Sequence, residues 1–139
     1  EECIRDSDIA ITITSSREPV LKGEWMADGV HINAAGSNHW MRREIDDAAI
    51  DKSELIVVDD LDQAKIECGD LIWASERGHF RWSRAYELKD MLAGGIKGRP
   101  DNRSVTLFES QGVAIEDVAA AVHIYHKAKE QGIGQELPF

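Results

Sequence analysis

The chain has 139 residues, a length that suits a single hydrophobic core, so we expect residues 1–139 to form one domain. Its 26 acidic and 16 basic residues give a formal net charge of -10, which argues against nucleic acid or an anionic membrane surface as the main partner. No apolar run reaches the roughly 20 residues of a membrane span, and the opening EECIRDSDIA has neither the basic nor the apolar region of a signal peptide. The composition therefore predicts a soluble, cytoplasmic protein.

Four short segments have the composition of buried strands. Each is rich in β-branched or aromatic residues, and the first alternates isoleucine with smaller side chains. The segments are residues 8–14, 30–35, 54–59 and 104–110. Glycine-containing or helix-like stretches separate them, an arrangement typical of parallel strands joined by crossover connections. We therefore expect an α/β protein with a mainly parallel sheet and flanking helices.

Helical periodicity or helix-ending residues mark four further segments. Residues 42–53 place apolar side chains about 3.6 apart, and residues 62–68 end before Gly69. Residues 83–92 end at a glycine pair in the manner of a helix C-terminus. The last helix lies within residues 112–132 and carries an apolar stripe of Ile115, Val118, Val122 and Tyr125. Residues 73–82 fit either a covering loop or the start of a helix.

Small or polar residues follow all four predicted strands. In open parallel sheets, ligands bind outside the carboxyl ends of the strands, where side chains converge and helix N-termini offer unpaired N–H groups. Such residues also form ordinary turns, so the pattern alone leaves a binding site and simple turns both open. Gly36 has a particular use, because a missing side chain lets a flat ring or a sugar approach the backbone. Hydroxyl groups that could bond a ribose or a carboxamide belong to Thr14, Ser15, Ser37 and Ser110.

Neither a dinucleotide fingerprint nor a metal-binding cluster is recognisable. The glycine-rich stretch 94–98 follows a predicted helix rather than joining a strand to a helix, so we do not expect it to cradle phosphate. His123 and His126 lie three residues apart without a third ligand at convincing spacing. Cys3 and Cys68 suggest no disulfide framework. The chain is thus expected to hold the nicotinamide side of a nucleotide fold without its phosphate side.

Four stretches carry a resemblance to a known family: TITSSREPVLKGEW, HINAAGSNHWMRREIDD, IECGDLI and TLFESQGVAIEDVAAAVHIYHKA. Over nearly the whole chain they resemble the carboxyl-terminal part of the ornithine cyclodeaminase and mu-crystallin family. The resemblance implies part of a doubly wound, Rossmann-like domain that lacks the GxGxxG half. It also implies NAD or NADP as the cofactor, a small amino or imino acid as the substrate, and a homodimer.

The resemblance further assigns cofactor contacts to residues that follow the strands. The family's strand-end contacts near the cofactor are matched by Thr14 and Ser15. The segment beside the nicotinamide is matched by Ala35, Gly36 and Ser37. A family serine that faces the nicotinamide is matched by Ser110, after the last strand.

Asn38 stands where ornithine cyclodeaminases proper have a catalytic aspartate. An amide cannot exchange a proton as a carboxyl group does. Hydride transfer needs less from this position, because the cofactor carries the chemistry and the protein orients the reactants. Asn38 therefore favours an imine reductase or an amino-acid dehydrogenase over a cyclodeaminase. An alternative use of Asn38 is to cap the helix that follows it.

A second hypothesis is a catalytically inactive, truncated family member that self-associates or acts as an interaction module. Half of a sheet would expose an edge strand that normally pairs with the missing half. Exposed edges favour dimerisation or swapping, because their N–H and C=O groups are unpaired.

Overall fold

The computed structural model describes residues 1–138, which are built around one five-stranded sheet. The strands are β1 (Ile9–Thr12), β2 (His31–Ala34), β3 (Ser53–Val58), β4 (Ala85–Glu87) and β5 (Val105–Glu109). Neighbouring strands are parallel, and their order across the sheet is β1-β2-β5-β3-β4. The last strand in sequence is therefore inserted between β2 and β3. The predicted α/β class with a parallel sheet is confirmed.

Six α-helices connect or follow the strands within residues 1–138. They are α1 (Glu2–Arg5), α2 (Asp47–Lys52), α3 (Leu61–Glu67), α4 (Gly69–Glu76), α5 (Leu88–Leu92) and α6 (Ala114–Gln131), and short 3-10 turns lie at Gly23–Trp25 and Trp82–Arg84. Asp46 and Asp60 cap α2 and α3, because each carboxylate accepts a hydrogen bond from the N–H group three residues later. None of the helices in this part of the chain is long and apolar enough to cross a membrane.

One face of the sheet packs against α2, α3 and α4. Side chains alternate between the two faces along each strand, and the register places Ala10, Ile32 and Leu107 in one row on the packed face. The helices contribute the buried residues Ala49, Ile50, Ala64, Leu71 and Ala74 to the same core. Complete burial of an aliphatic side chain such as Ile or Leu stabilises a fold by about 1.5–3 kcal/mol. This layer is therefore the main apolar core of the described residues.

The opposite face is left open near β1. Ile9 and Ile11 point to that face and are 59% and 68% exposed. Within residues 1–138, β1 pairs only with β2 and forms one edge of the sheet. The apolar stripe predicted for the last helix lies on α6, but all of its side chains are exposed to solvent. Two apolar surfaces of the chain, at β1 and on α6, thus remain uncovered by the rest of the described structure.

The prediction of one helix over residues 42–53 is wrong at both ends. Helix α2 begins only at Asp47, because Glu44 and Ile45 enter the core in non-helical backbone and Ile45 forms a bridge with Leu21. At the other end, Ser53 already begins β3. The apolar side chains of this segment are buried from two kinds of backbone, a non-helical stretch that includes Ile45 and the helix α2.

The predicted helix over residues 62–68 that ends before Gly69 is confirmed within one residue by α3, but a second helix, α4, begins at Gly69 itself. Residues 73–76 are the end of α4 rather than the start of a helix, and residues 77–81 form a loop. One further helix prediction is wrong. Residues 83–92 are not one helix, since they contain β4 before α5. The predicted glycine end is present, because Gly94 has a φ of 80°, which favours glycine.

Candidate functional site

The carboxyl ends of β1, β2 and β5 lie side by side, with β2 in the middle. Their last register positions, Thr12, Ala34 and Glu109, form one row across the sheet. Just beyond this row, Ala35 N donates to Thr12 O at 2.8 Å and Ser110 N donates to Ala34 O at 2.9 Å. The structure therefore brings together the predicted residues that follow these three strands.

Glu44 joins the turn after β1 to the turn after β2. Its buried carboxylate accepts a hydrogen bond from Thr14 N at 2.5 Å through Oε1 and from Gly36 N at 2.7 Å through Oε2. A Cβ atom at position 36 would lie within 3.0 Å of the Thr14 backbone and of Glu44 Oε1. Glycine is thus needed here because the protein packs against its own backbone, which differs from the ligand approach expected from the sequence.

Ser37 and Asp70 form hydrogen bonds to the segment that carries Glu44. The Ser37 hydroxyl is fully buried; it donates to Arg42 O at 3.0 Å and accepts from Asp70 N at 3.1 Å. Asp70 Oδ1 accepts hydrogen bonds from Glu44 N at 2.9 Å and from Ile45 N at 3.1 Å. The hydroxyl predicted to contact a ligand at Ser37 is therefore used inside the protein.

A third buried carboxyl group, that of Glu109, lies near Asp70. Its Oε2 accepts a weak hydrogen bond from Cys68 Sγ at 3.4 Å, while its Oε1 has no hydrogen-bond partner among the described residues. Burial, together with the charge of Asp70, raises the pKa of Glu109 well above its usual value. Burial also raises the pKa of Asp70 to about 7, against the opposing effect of the backbone N–H groups of Ile45 and Glu44. Asp70 and Glu109 therefore bind their protons more tightly than exposed carboxyl groups do.

Thr14, Ser15 and Asn38 present exposed side chains at this edge. The Thr14 hydroxyl accepts a hydrogen bond from Ser16 N at 3.2 Å. Asn38 Oδ1 accepts one from Arg42 Nη1 at 2.7 Å, which leaves the Asn38 amide N–H groups as donors. The alternative that Asn38 caps the following helix is wrong, because Asp46 caps α2.

Asp59, at the end of β3, fixes the turn after β5. Its Oδ2 accepts hydrogen bonds from Ser110 Oγ at 3.0 Å, from Gln111 N at 2.9 Å and from Gly112 N at 2.8 Å. The Ser110 hydroxyl donates to Asp59 and keeps its lone pairs for a further donor. The sequence placed Asp59 at a strand end but did not indicate that it supports Ser110.

Two cavities of about 400 Å³ each lie away from these turns. One is on the open face of the sheet, where His31, Asn33 and Arg99 contribute its polar lining. The other lies beside Trp40 and Trp73. Neither is lined by the predicted contacts. The turns after β1, β2 and β5 are here called the ledge.

Comparison with known proteins gives consistent matches over the whole fold. The model of the ornithine cyclodeaminase/mu-crystallin family matches residues 1–132. The alanine dehydrogenase of Archaeoglobus fulgidus is 37% identical over 95% of this chain and 41% of its own length. A Delta(1)-pyrroline-2-carboxylate reductase of Bacillus cereus is 34% identical over 99% of this chain and 42% of its own length.

The structure of Thermococcus litoralis Delta(1)-pyrroline-2-carboxylate reductase, in complex with NADH and L-proline, superposes with a TM-score of 0.87. It is 41% identical to this chain and is matched over 98% of this chain and 42% of that protein. The chain thus spans less than half the length of these relatives. With a family match that covers almost all of its residues, the chain belongs to the ornithine cyclodeaminase/mu-crystallin family.

Proposed function

We propose that this chain is the cofactor-binding, carboxyl-terminal portion of an NAD(P)-dependent enzyme that reduces a cyclic imine or reversibly oxidises an amino acid. The observation that carries the proposal is the ledge formed by Thr14, Gly36 and Ser110 at three adjoining strand ends. Open parallel sheets bind their ligands at such an edge. The match to a reductase that holds NADH and L-proline supports this assignment of the edge.

The ledge offers groups that suit a nicotinamide carboxamide. Exposed hydroxyls stand at Thr14 and Ser15, and the Ser110 hydroxyl can accept a hydrogen bond from an amide while it donates to Asp59. When bound, the cofactor would supply or accept the hydride. The residues of this chain would orient its ring.

Asn38 fits an orienting role better than a proton-transferring one. Arg42 holds its amide oxygen, and its amide N–H groups remain free to donate to an oxygen or nitrogen atom of a small amino or imino acid. A side chain without a titrating proton cannot serve as general acid or base. Asn38 thus supports the reductase or dehydrogenase type over deaminating cyclisation.

Cofactor binding can be measured directly by isothermal titration of the chain with NADH and with NADPH. We expect saturable heat with at least one of the two at submillimolar to millimolar concentration. A titration with AMP serves as the control, because AMP lacks the nicotinamide that the ledge is proposed to bind. Equal heats for AMP and NADH, or no heat with either reduced cofactor at millimolar concentration, would contradict binding at the nicotinamide side.

One observation favours the alternative function, self-association of a catalytically inactive, truncated family member. Within the described residues β1 is an edge strand, so one side of its backbone is unpaired, and its isoleucines Ile9 and Ile11 are exposed. Such edges pair readily with a second copy. We propose that two copies associate through β1 and form a homodimer.

The change Ile11→Lys is expected to abolish this dimer, because a charged side chain on an edge strand opposes pairing. Sedimentation velocity over a range of concentrations would show a dimer for the unaltered chain and a monomer for the variant. The matched control is Ile66→Lys, since Ile66 is 71% exposed but lies on α3. A chain that stays monomeric at every concentration, or a dimer that survives Ile11→Lys, would contradict the proposal.

We further propose that residues 1–139 fold as one domain in the cytoplasm. All buried apolar residues of the described chain belong to one cluster apart from Leu55 and Val57, which supports a single cooperative unit. Thermal unfolding followed by two spectroscopic probes should give coincident transitions.

A further inference from the structure

Glu44 contacts both of the turns that form the proposed nicotinamide side, although its own side chain is buried beneath them. We propose that Glu44 is a positioning residue that sets the separation of these two turns before the cofactor binds, and that Asp70 holds Glu44 in place. This inference rests on the proposed function and identifies how the same ledge is kept ready for its ligand.

The sheet itself does not fix the spacing of the two turns. The last register pair between β1 and β2 is Thr12 with Ala34, and the final ladder-like hydrogen bond runs from Ala35 N to Thr12 O. Thr14 and Gly36 lie beyond that point. Their N–H groups are joined through the two oxygens of one carboxylate, whose geometry is rigid and planar. Hydrogen bonds to a carboxylate are about twice as strong as neutral ones. Glu44 therefore joins the two turns firmly, in addition to the direct packing of Gly36 against the Thr14 backbone.

Glu44 is also prevented from moving away from the turns. Asp70 Oδ1 accepts hydrogen bonds from the backbone N–H groups of Glu44 and Ile45, so the segment is attached to the start of α4. Gly69 lets α4 approach closely, because a Cβ atom there would overlap the carbonyl oxygen of Arg42. The Ser37 hydroxyl adds a further link between Asp70 N and the same segment. The whole connection therefore runs from α4 through Glu44 to both turns.

A preset ledge lowers the cost of ordering the site when the cofactor binds. The change Glu44→Gln keeps the shape of the side chain but replaces one acceptor oxygen by an NH2 donor. One of the two backbone N–H groups would then face a donor, and its turn would be released. We expect NADH affinity to fall about tenfold, the effect of one lost hydrogen bond that orders the site.

The test compares NADH affinity in the unaltered chain, Glu44→Gln and two controls. Glu76→Gln makes the same chemical change on the exposed surface of α4. Ile50→Val removes one buried methylene from α2, so it lowers stability without touching the turns. If Glu44 contributed to stability alone, Ile50→Val and Glu44→Gln would bind NADH with equal affinity when both had lost the same free energy of unfolding. Weaker binding confined to Glu44→Gln would support the proposal.

Hydrogen exchange in the unaltered chain tests the same claim even if Glu44→Gln does not fold. Before NADH is added, the amides of Thr14 and Gly36 should exchange at least about a hundredfold more slowly than in an unstructured chain. Unprotected amides, or equal NADH affinity in the unaltered chain and Glu44→Gln, would overturn this inference alone. Failure of the unaltered chain to bind NADH would overturn the proposed function and this inference with it.

Discussion

Replacement of Gly36 by alanine is expected to lower the free energy of unfolding by about 3 kcal/mol, the upper end for an overpacked site. The added Cβ atom would lie within 3.0 Å of the Thr14 backbone and of Glu44 Oε1. Backbone atoms cannot move aside as the end of a flexible side chain can. The change would therefore force β1 and β2 apart at the edge where the cofactor is proposed to bind.

Denaturant unfolding of Gly36→Ala and Gly98→Ala measures this effect against a matched control. Gly98 has no heavy atom within 4 Å of the position of an added Cβ atom. Its replacement should change the free energy of unfolding by no more than about 0.5 kcal/mol. If the two variants were equally stable, the close approach of Gly36 to Thr14 and Glu44 would be contradicted.

The chain is expected to be more stable at pH 5 than at pH 8, with about 3 kcal/mol of the difference coming from Asp70. The pKa values of Asp70 and Glu109 are raised in the folded state, so the folded chain binds their protons more tightly than the unfolded chain does. Stability from such groups is complete below their unfolded pKa and is lost as the pH rises through the folded pKa. For Asp70 this window runs from about pH 4 to about 7, at roughly 1.4 kcal/mol per pH unit.

Other groups do not reverse this trend. The pKa values of Glu87 and Asp101 are lowered by hydrogen bonds, but their windows lie below the usual carboxyl range and outside pH 5–8. Burial lowers the pKa of the half-buried His31, which opposes the trend only below its usual value of 6.5. The charge of Arg43 favours ionisation of Asp70, but the effect of burial on the Asp70 pKa is larger.

Denaturant unfolding at pH 5 and pH 8 checks the sign and the origin of the effect. Glu109→Gln keeps the size of the side chain without its ionisation, and should remove the contribution of Glu109 to the dependence on pH while that of Asp70 remains. Glu76→Gln, on the exposed surface of α4, should retain the full dependence. If the stability of the unaltered chain did not change between pH 5 and pH 8, or rose toward pH 8, the raised pKa values of Asp70 and Glu109 would be contradicted.

The four longer strands could be predicted because their β-branched residues are buried on a parallel sheet, which leaves a clear composition. β4 could not, since three residues are too few to show a period and Ala85–Glu87 lies within a helix-like stretch. Its identity as a strand comes from pairing with β3, a contact made across the fold. Local sequence thus predicted the centre of the sheet better than its far edge.

The strand-end ledge was predictable in outline but not in its support. The rule for open parallel sheets pointed to the residues after β1, β2 and β5, and the family resemblance assigned them a nicotinamide. Glu44, however, lay in a stretch with helical spacing, where an acidic residue suggests a solvated surface. Its buried carboxylate has meaning only once β1 and β2 are adjacent, so no local pattern could reveal it.

The turns after β1, β2 and β5 are proposed to bind the nicotinamide side of NAD(P). A titration of the 15N-labelled chain with NADH, followed by two-dimensional NMR, tests this claim at single residues. We predict that the largest saturable shifts fall on the amides of Thr14, Ser15, Gly36 and Ser110. No shifts at millimolar NADH, or largest shifts around the cavities at Arg99 or Trp40, would contradict the account.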